Sequence, residues 1–81
     1  MFYIKTIPVY NLNMRFEPGE IYENVATHIV IKIDTSNYDK ELKTWELVVE
    51  QLDPVTLEFM CHNFMGIPDN LAHNWEIVEI V

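Results

Sequence analysis

The chain is poor in the residues that cross-link small proteins or bind phosphate groups. Cys61 is the only cysteine, so no intramolecular disulfide can form and a secreted scaffold built on disulfides is excluded. Two glycines are too few for a phosphate-binding glycine-rich loop, and no Gly-x-x-x-x-Gly-Lys-Ser/Thr motif occurs. No signal peptide is recognisable, and no run of about 18 apolar residues occurs. We therefore expect a soluble cytoplasmic protein that neither hydrolyses nucleotides nor binds membranes.

The apolar residues that are present suffice for one small domain. Hydrophobic residues make up 49% of the chain and charged residues 22%, which is typical of a folded protein rather than a disordered one. The sequence has no internal repeat and no linker. We predict a single globular domain over residues 1–81. A chain of this length buries only about 60 to 65% of its unfolded surface, so it would gain stability from a partner subunit.

Basic residues are missing from the second half of the chain. The formal net charge is -8, which argues against direct binding to nucleic acid. All five Lys and Arg residues precede Thr44, and the seven acidic residues that follow it have no basic neighbour in the sequence. Such a segment would attract a protein with a basic surface. The candidate partner-binding residues are Glu46, Glu50, Asp53, Glu58, Asp69, Glu76 and Glu79.

Alternating apolar and polar residues predict antiparallel strands. Residues 27–34 and 44–51 alternate most clearly and predict a hairpin, with the polar residues 35–43 as its long loop. Aromatic and β-branched residues predict a further strand in residues 2–10, at a sheet edge because Pro8 cannot donate a ladder hydrogen bond. On the hairpin interpretation Glu46, Glu50 and Glu58 would project from one side of the sheet.

The end of the chain predicts a turn followed by a strand. Residues 68–73 are typical of one helical turn or an irregular loop. Residues 75–81 are apolar on both faces, which indicates a central or dimer-paired strand. Earlier in the chain, Glu17 to Glu20 form a predicted turn around Pro18 and Gly19.

The segment over residues 53–65 fits two interpretations. A turn at Asp53 would make Leu57, Phe59 and Cys61 the inward face of a strand. Alternatively, Asp53 would cap a helix whose apolar stripe runs from Leu57 to Phe64. Residues 39–52 also fit either a helix or a strand. The predicted fold class is α+β and mainly antiparallel β, with a four- or five-stranded sheet and at most one or two short helices.

Catalytic and metal-binding patterns are absent from the sequence. Cys61 and the histidines His28, His62 and His73 show none of the zinc-site spacings, so we predict no metal and no cofactor. A nucleophilic pair of Cys61 with His28 or His73 lacks a second signature. A small buried hydrophobic role for Cys61 is therefore favoured.

Paired carboxylates and aromatic residues do not change that conclusion. Glu46 and Glu50 could form an acid/base pair, but so short a chain offers little cleft in which to shift their pKa values. Trp45 and Trp75 are predicted core residues, because a stacking platform for single-stranded nucleic acid also needs basic residues. The four tyrosines are candidate interface anchors: Tyr3, Tyr10, Tyr22 and Tyr38. We predict no catalytic residue and no enzyme.

Two functional hypotheses follow from these patterns. The first is a small acidic inhibitor of the phage type, which mimics nucleic acid and blocks the basic groove of a nucleic-acid-handling protein. The second is a structural or assembly subunit that forms homodimers or larger oligomers through strand edges and aromatic contacts. In the second hypothesis the acidity serves solubility.

Overall fold

The structure is a computed structural model that describes residues 4–7 and 16–80. This part of the chain forms one antiparallel sheet of six strands, ordered β1-β6-β2-β3-β4-β5, with a short 3-10 helix before the last strand. The elements are β1 (Ile4–Ile7), β2 (Ile21–Asn24), β3 (Val30–Asp39), β4 (Thr44–Leu52), β5 (Phe59–Pro68), the 3-10 helix (Asp69–Asn74) and β6 (Trp75–Ile80). The prediction of a mainly antiparallel β protein is confirmed. The strand that sequence analysis missed is β2, whose four residues are too few to show alternation.

The first and last strands lie where the sequence indicated. β1 is an edge strand, and β6 lies between β1 and β2. The apolar residues of β6 are buried on both faces of the sheet, since Trp75 and Val78 point to opposite faces and both are buried. The predicted helical turn is the 3-10 helix. The predicted strands at residues 2–10 and 75–81 include positions 2, 3, 8–10 and 81, which lie outside the described residues.

Two expectations for the middle of the chain are corrected. Residues 35–43 are not a long loop, because β3 continues to Asp39 and only residues 40–43 connect it to β4. Their polarity reflects a partly exposed strand end, on which alternate side chains face solvent. The helix interpretations of residues 39–52 and 53–65 are both wrong. β4 pairs with β3 and β5 along its whole length, and this pairing satisfies the backbone that a helix would otherwise satisfy.

The main hydrophobic core lies on one face of the sheet, here called the core face. Its buried residues are Phe16, Tyr22, Ile31, Ile33, Leu47, Val49, Ile67, Ala72 and Trp75, and Trp45, Met65 and Ile77 pack against them. The expectation that Trp45 and Trp75 belong to the core is therefore confirmed. Phe16 packs on the ring of Tyr22, with 4.7 Å between centroids, so the segment before β2 closes over this face. Tyr22 is fully buried and cannot anchor a partner without unfolding.

Three of the connecting turns share one hydrogen-bonding pattern. Each begins with an Asn or Asp side-chain oxygen that accepts hydrogen bonds, 2.8 to 3.1 Å long, from the backbone N–H groups two and three residues later. The fifth residue of each turn has a positive φ, of 62°, 52° and 63° in chain order. The first residues are Asn24, Asp39 and Asp53, and the fifth residues are His28, Lys43 and Leu57. None of the fifth residues is glycine, so each turn carries backbone strain.

Replacing Lys43 by glycine is expected to stabilise the protein. Lys43 is exposed with a φ of 52°, and glycine reaches this conformation without the steric cost of a Cβ. We expect Lys43→Gly to raise the free energy of unfolding by about 0.5 to 1 kcal/mol, measured by urea denaturation. The matched control is Lys40→Gly in the same turn, where φ is negative, and this variant should not gain stability. Equal effects of the two variants would contradict the prediction.

Candidate functional site

The two edges of the sheet differ in length and charge. β1 has four residues, includes Lys5 and is followed in the sequence by Pro8. β5 has ten residues, and among them are no Lys, Arg, Asp or Glu and one histidine, His62. Edge strands usually carry charges, prolines or bulges that prevent pairing with another chain. β1 has such protection, whereas β5 has a register shift at Met60 near its start and a proline, Pro68, at its end, with seven regular residues, 61–67, between them.

The side chains of β5 are unusually exposed for an apolar strand. Phe64 is 84% exposed, and Phe59 and Met60 are more than half exposed. Among the described strands β5 pairs with β4 alone, so the backbone groups on its other side have no ladder partner within the sheet. A long, uncharged, apolar edge of this kind is a template for another strand.

A shallow groove lies beside this edge, on the face of the sheet opposite the core face. Its volume is about 540 Å³, and its lining includes Val48, Phe64, Glu46 and Gly66. Val48 is directly opposite Phe64, and Glu46 is directly opposite Gly66. The glycine leaves no side chain between Glu46 and the edge, so the groove is open toward the outside of β5. Its apolar floor would contact a side chain from an added strand.

Three of the seven predicted acidic residues lie on this opposite face, two of them on β4 and one on β6, three strands away. Glu46 and Glu50 lie four residues apart on β4 and therefore share a face. Glu76 is directly opposite Glu23, which is directly opposite Val30. Val30 is in turn directly opposite Leu52 of β4, so Glu76 lies on the same face as Leu52 and Glu50. Glu23 and Asp34, from the first half of the chain, also lie there. We name Glu23, Asp34, Glu46, Glu50 and Glu76 the acidic face.

The other four predicted residues lie elsewhere. Asp53 begins the β4–β5 turn, and hydrogen bonds from the backbone N–H groups of Thr56 and Val55 lower the pKa of its carboxyl. Glu58 is in the same turn rather than on β5, so it does not extend the row of Glu46 and Glu50. Glu79 is on the core face, opposite Lys5 in the register.

Asp69 has a structural contact with Tyr38. The Tyr38 hydroxyl donates a 2.6 Å hydrogen bond to Asp69 Oδ2, and this bond raises the Tyr38 pKa. The Tyr38 ring also packs on Trp45, with 4.9 Å between centroids. Tyr38 and Asp69 thus connect β3 to the 3-10 helix. Because the hydroxyl and the carboxylate bond to each other, fewer of their hydrogen-bonding positions are available to a partner protein. Tyr3 and Tyr10 lie outside the described residues.

Glu23 and Glu76 are an unfavourable pair at the centre of the acidic face. They are directly opposite each other on β2 and β6, where like charges repel. Within the described part of the chain, the ion-pair contact of these two carboxylates is with His28, whose Nδ1 is 3.6 Å from Glu23 Oε2. We expect Glu76→Lys to stabilise the fold by about 0.5 kcal/mol through an opposite-charge pair, measured by thermal unfolding. Glu41→Lys, at an exposed position in the turn between β3 and β4 with no direct strand partner, is the control, and an equal gain there would show that net charge alone is responsible.

Cys61 is exposed, so the expectation that it is a buried hydrophobic residue is wrong. It lies near the start of β5, opposite Gln51, and its Sγ is 3.8 Å from Gln51 Oε1. This end of the β4–β5 hairpin extends beyond the core, so side chains that point to the core face remain exposed to solvent there. Phe59, also expected to point inward, lies on the other face, because the register shift beside it pairs it with Leu52, and its ring is 4.9 Å from that of His62. Cys61 and His62 are strand neighbours and point to opposite faces.

No protein-family model, no curated protein and no solved structure matches this chain. The described residues include no helix that is long and apolar enough to cross a lipid bilayer. The function of this chain is therefore inferred from the geometry of β5 and of the acidic face.

Proposed function

We propose that this protein is a non-enzymatic assembly protein that pairs with a second copy of itself through β5. The observation that supports this proposal is the long β5 edge, which lacks carboxylates, lysines and arginines in a chain with a net charge of -8. An unpaired edge of this composition would promote uncontrolled aggregation. Pairing it within a defined dimer removes that hazard.

A second copy fits this edge because β5 can pair with itself in an antiparallel arrangement. A two-fold axis perpendicular to the sheet, passing between the two copies of Asn63 or of Phe64, would pair residues 61–65 in the first case and 61–67 in the second, so that neither pairing includes the register shift at Met60. In the first case Phe64 lies opposite His62 of the other copy, and in the second it lies opposite its own equivalent. Both arrangements cover the most exposed aromatic side chain of the described residues.

Charge repulsion does not oppose this pairing strongly. The nearest carboxylates of the acidic face are Glu46 and Glu50 on β4, one strand in from the edge. In the paired sheet, the two β4 strands are three strand spacings apart, about 14 Å. This distance exceeds the screening length of about 8 Å at physiological salt. The protected β1 edge offers no second pairing site of this kind, so assembly should stop at a dimer.

Sedimentation velocity from low micromolar to submillimolar concentration tests this proposal. We expect a monomer–dimer equilibrium that strengthens or stays constant as salt rises, because no ion pairs are formed and the repulsion between two acidic chains is screened. Hydrogen exchange of the β5 amides should slow as the dimer forms, while the amides of the 40–43 turn should not change. A monomer at every concentration, or a dimer without protection of β5, would contradict the proposal.

A second candidate function is an acidic inhibitor that binds a basic protein surface. It is favoured by the grouping of five carboxylates on the acidic face. A two-fold axis perpendicular to the sheet would bring the acidic faces of both copies to one side, which doubles the charged surface. In this candidate function the protein would resemble nucleic acid only in its negative charge.

A pull-down from bacterial lysate at low and high salt tests this second candidate. The variant is Glu46→Lys with Glu50→Lys, and the matched control reverses Glu17 and Glu41, which lie outside the acidic face. A nucleic-acid-binding protein that is lost at high salt and in the Glu46 and Glu50 variant, but is kept by the control, supports the candidate. A partner that survives both reversals contradicts it.

A further inference from the structure

One imidazole and two carboxylates converge beside β5, on the acidic face. His62 Nε2 is 3.8 Å from Asp34 Oδ2 and 3.8 Å from Glu50 Oε1. The ligand atoms of the three residues all lie within 4.8 Å of one another. We infer that Asp34, Glu50 and His62 form a binding site for a divalent transition-metal ion such as Zn²⁺. This inference goes beyond the proposed assembly and does not depend on it.

The fold positions these three side chains on adjacent strands. Glu50 and His62 are direct partners in the register of β4 and β5, so their side chains leave the sheet side by side. Asp34 belongs to β3, where the register with β4 shifts between Ile33 and Thr35. This shift leaves Asp34 without a direct partner on β4, and its carboxylate lies 3.8 Å from His62 Nε2. Ile33 lies on the core face, so Asp34, the next residue along the strand, points to the face of Glu50.

The spacing fits a metal ion after a small adjustment. A point equidistant from atoms that are 3.8, 3.8 and at most 4.8 Å apart lies about 2.5 Å or less from each, whereas Zn²⁺ prefers about 2.0 to 2.2 Å. A closure of a few tenths of an ångström is available, because all three side chains are at least partly exposed. One nitrogen and two oxygen ligands suit Zn²⁺ better than Mg²⁺ or Ca²⁺, which prefer oxygen alone.

The surrounding charges both favour and oppose a cation. The acidic face supplies a negative potential that raises the local concentration of cations. Lys32 opposes binding, because it is the direct partner of Glu50 on β3 and lies on the same face. Lys32→Gln is therefore expected to tighten Zn²⁺ binding by about two- to fivefold.

Titration of the full chain with Zn²⁺ tests the site. We expect one tight equivalent per chain by calorimetry, with the imidazole nitrogens of His62 shifting in NMR spectra before those of His28 and His73. His62→Asn and Asp34→Asn should each weaken binding by at least about tenfold. Both positions are on the surface, so the variants should keep the fold, which the backbone NMR spectrum verifies. Mg²⁺ and Ca²⁺ should bind more weakly than Zn²⁺ at this site.

His28→Asn is the matched control for this experiment. His28 is also exposed and also faces a carboxylate, with Nδ1 3.6 Å from Glu23 Oε2, but it does not belong to the three-residue cluster. Its loss should leave Zn²⁺ binding unchanged. Equal weakening by His28→Asn and His62→Asn would show nonspecific binding to surface histidines and overturn the inference. An absence of Zn²⁺ binding, or binding that ignores His62 and Asp34, would overturn it as well. A monomeric chain that still binds Zn²⁺ at His62 would separate this site from the assembly proposal.

Discussion

Phe64→Glu is expected to convert the β5-paired dimer into a monomer, with at least about a 100-fold rise in the dimer dissociation constant. Phe64 is 84% exposed and lies at or next to the proposed two-fold axis. Each copy would lose the apolar area that the second copy covers, worth about 1.5 to 3 kcal/mol for a fully buried phenylalanine. Each would also bring a carboxylate into an interface whose strands contain no lysine or arginine. Symmetry applies both losses twice.

Val55→Glu is the matched control for this variant. Val55 is 76% exposed and apolar, and it lies in the turn between β4 and β5, away from the pairing edge. The substitution adds the same charge without touching the proposed contact, so the dimer should persist. Sedimentation velocity at matched concentrations compares the two variants. Dissociation of both would indicate that net charge controls self-association. A dimer that survives Phe64→Glu would show that β5 is not the interface.

Alternation in the sequence predicted best those strands that have a neighbouring strand on each side. β6 carries buried apolar residues on both faces, Trp75 on the core face and Val78 on the opposite face, and this pattern in the sequence predicted a strand inside the sheet. The second half of β3 could not be predicted, because its polar residues look like a loop when its pairing with β4 is unknown. The exposure of Cys61 could not be predicted from the sequence either. An apolar side chain on the inward side of a strand stays exposed where the strand extends beyond the core.

The candidate site was only partly predictable for a related reason. A count of charges along the chain identified Glu46, Glu50 and Glu76, which do share a face. It also included Asp53 and Asp69, whose carboxylates accept hydrogen bonds within the fold. The count excluded Glu23 and Asp34 because they precede Thr44, and strand register and alternation place them on this face. The absence of charge in residues 59–68 was visible in the sequence. It became meaningful once β5 was known to be an edge.

Tyr22→Phe is expected to cost about 2 kcal/mol of unfolding free energy although it removes one oxygen atom. The buried hydroxyl accepts a 2.7 Å hydrogen bond from the Phe16 backbone N–H and donates a 2.8 Å bond to Glu20 Oε1. The same Glu20 oxygen accepts a 2.8 Å bond from the Glu17 backbone N–H. One hydroxyl therefore holds the segment that places Phe16 over the core.

Urea denaturation measures this cost, and the slope of the transition separates its causes. Phenylalanine keeps the buried ring, so the surface exposed on unfolding and the urea dependence should be unchanged while the midpoint falls. Glu20→Gln is the comparison, since it keeps an acceptor oxygen but removes the charge, and it should cost less than Tyr22→Phe. A loss below about 0.5 kcal/mol for Tyr22→Phe would mean that packing of the rings alone holds residues 16–20 in place. Because Tyr22 lies far in the sheet from β5, the variant should weaken the fold without changing the dimer dissociation constant of the folded protein.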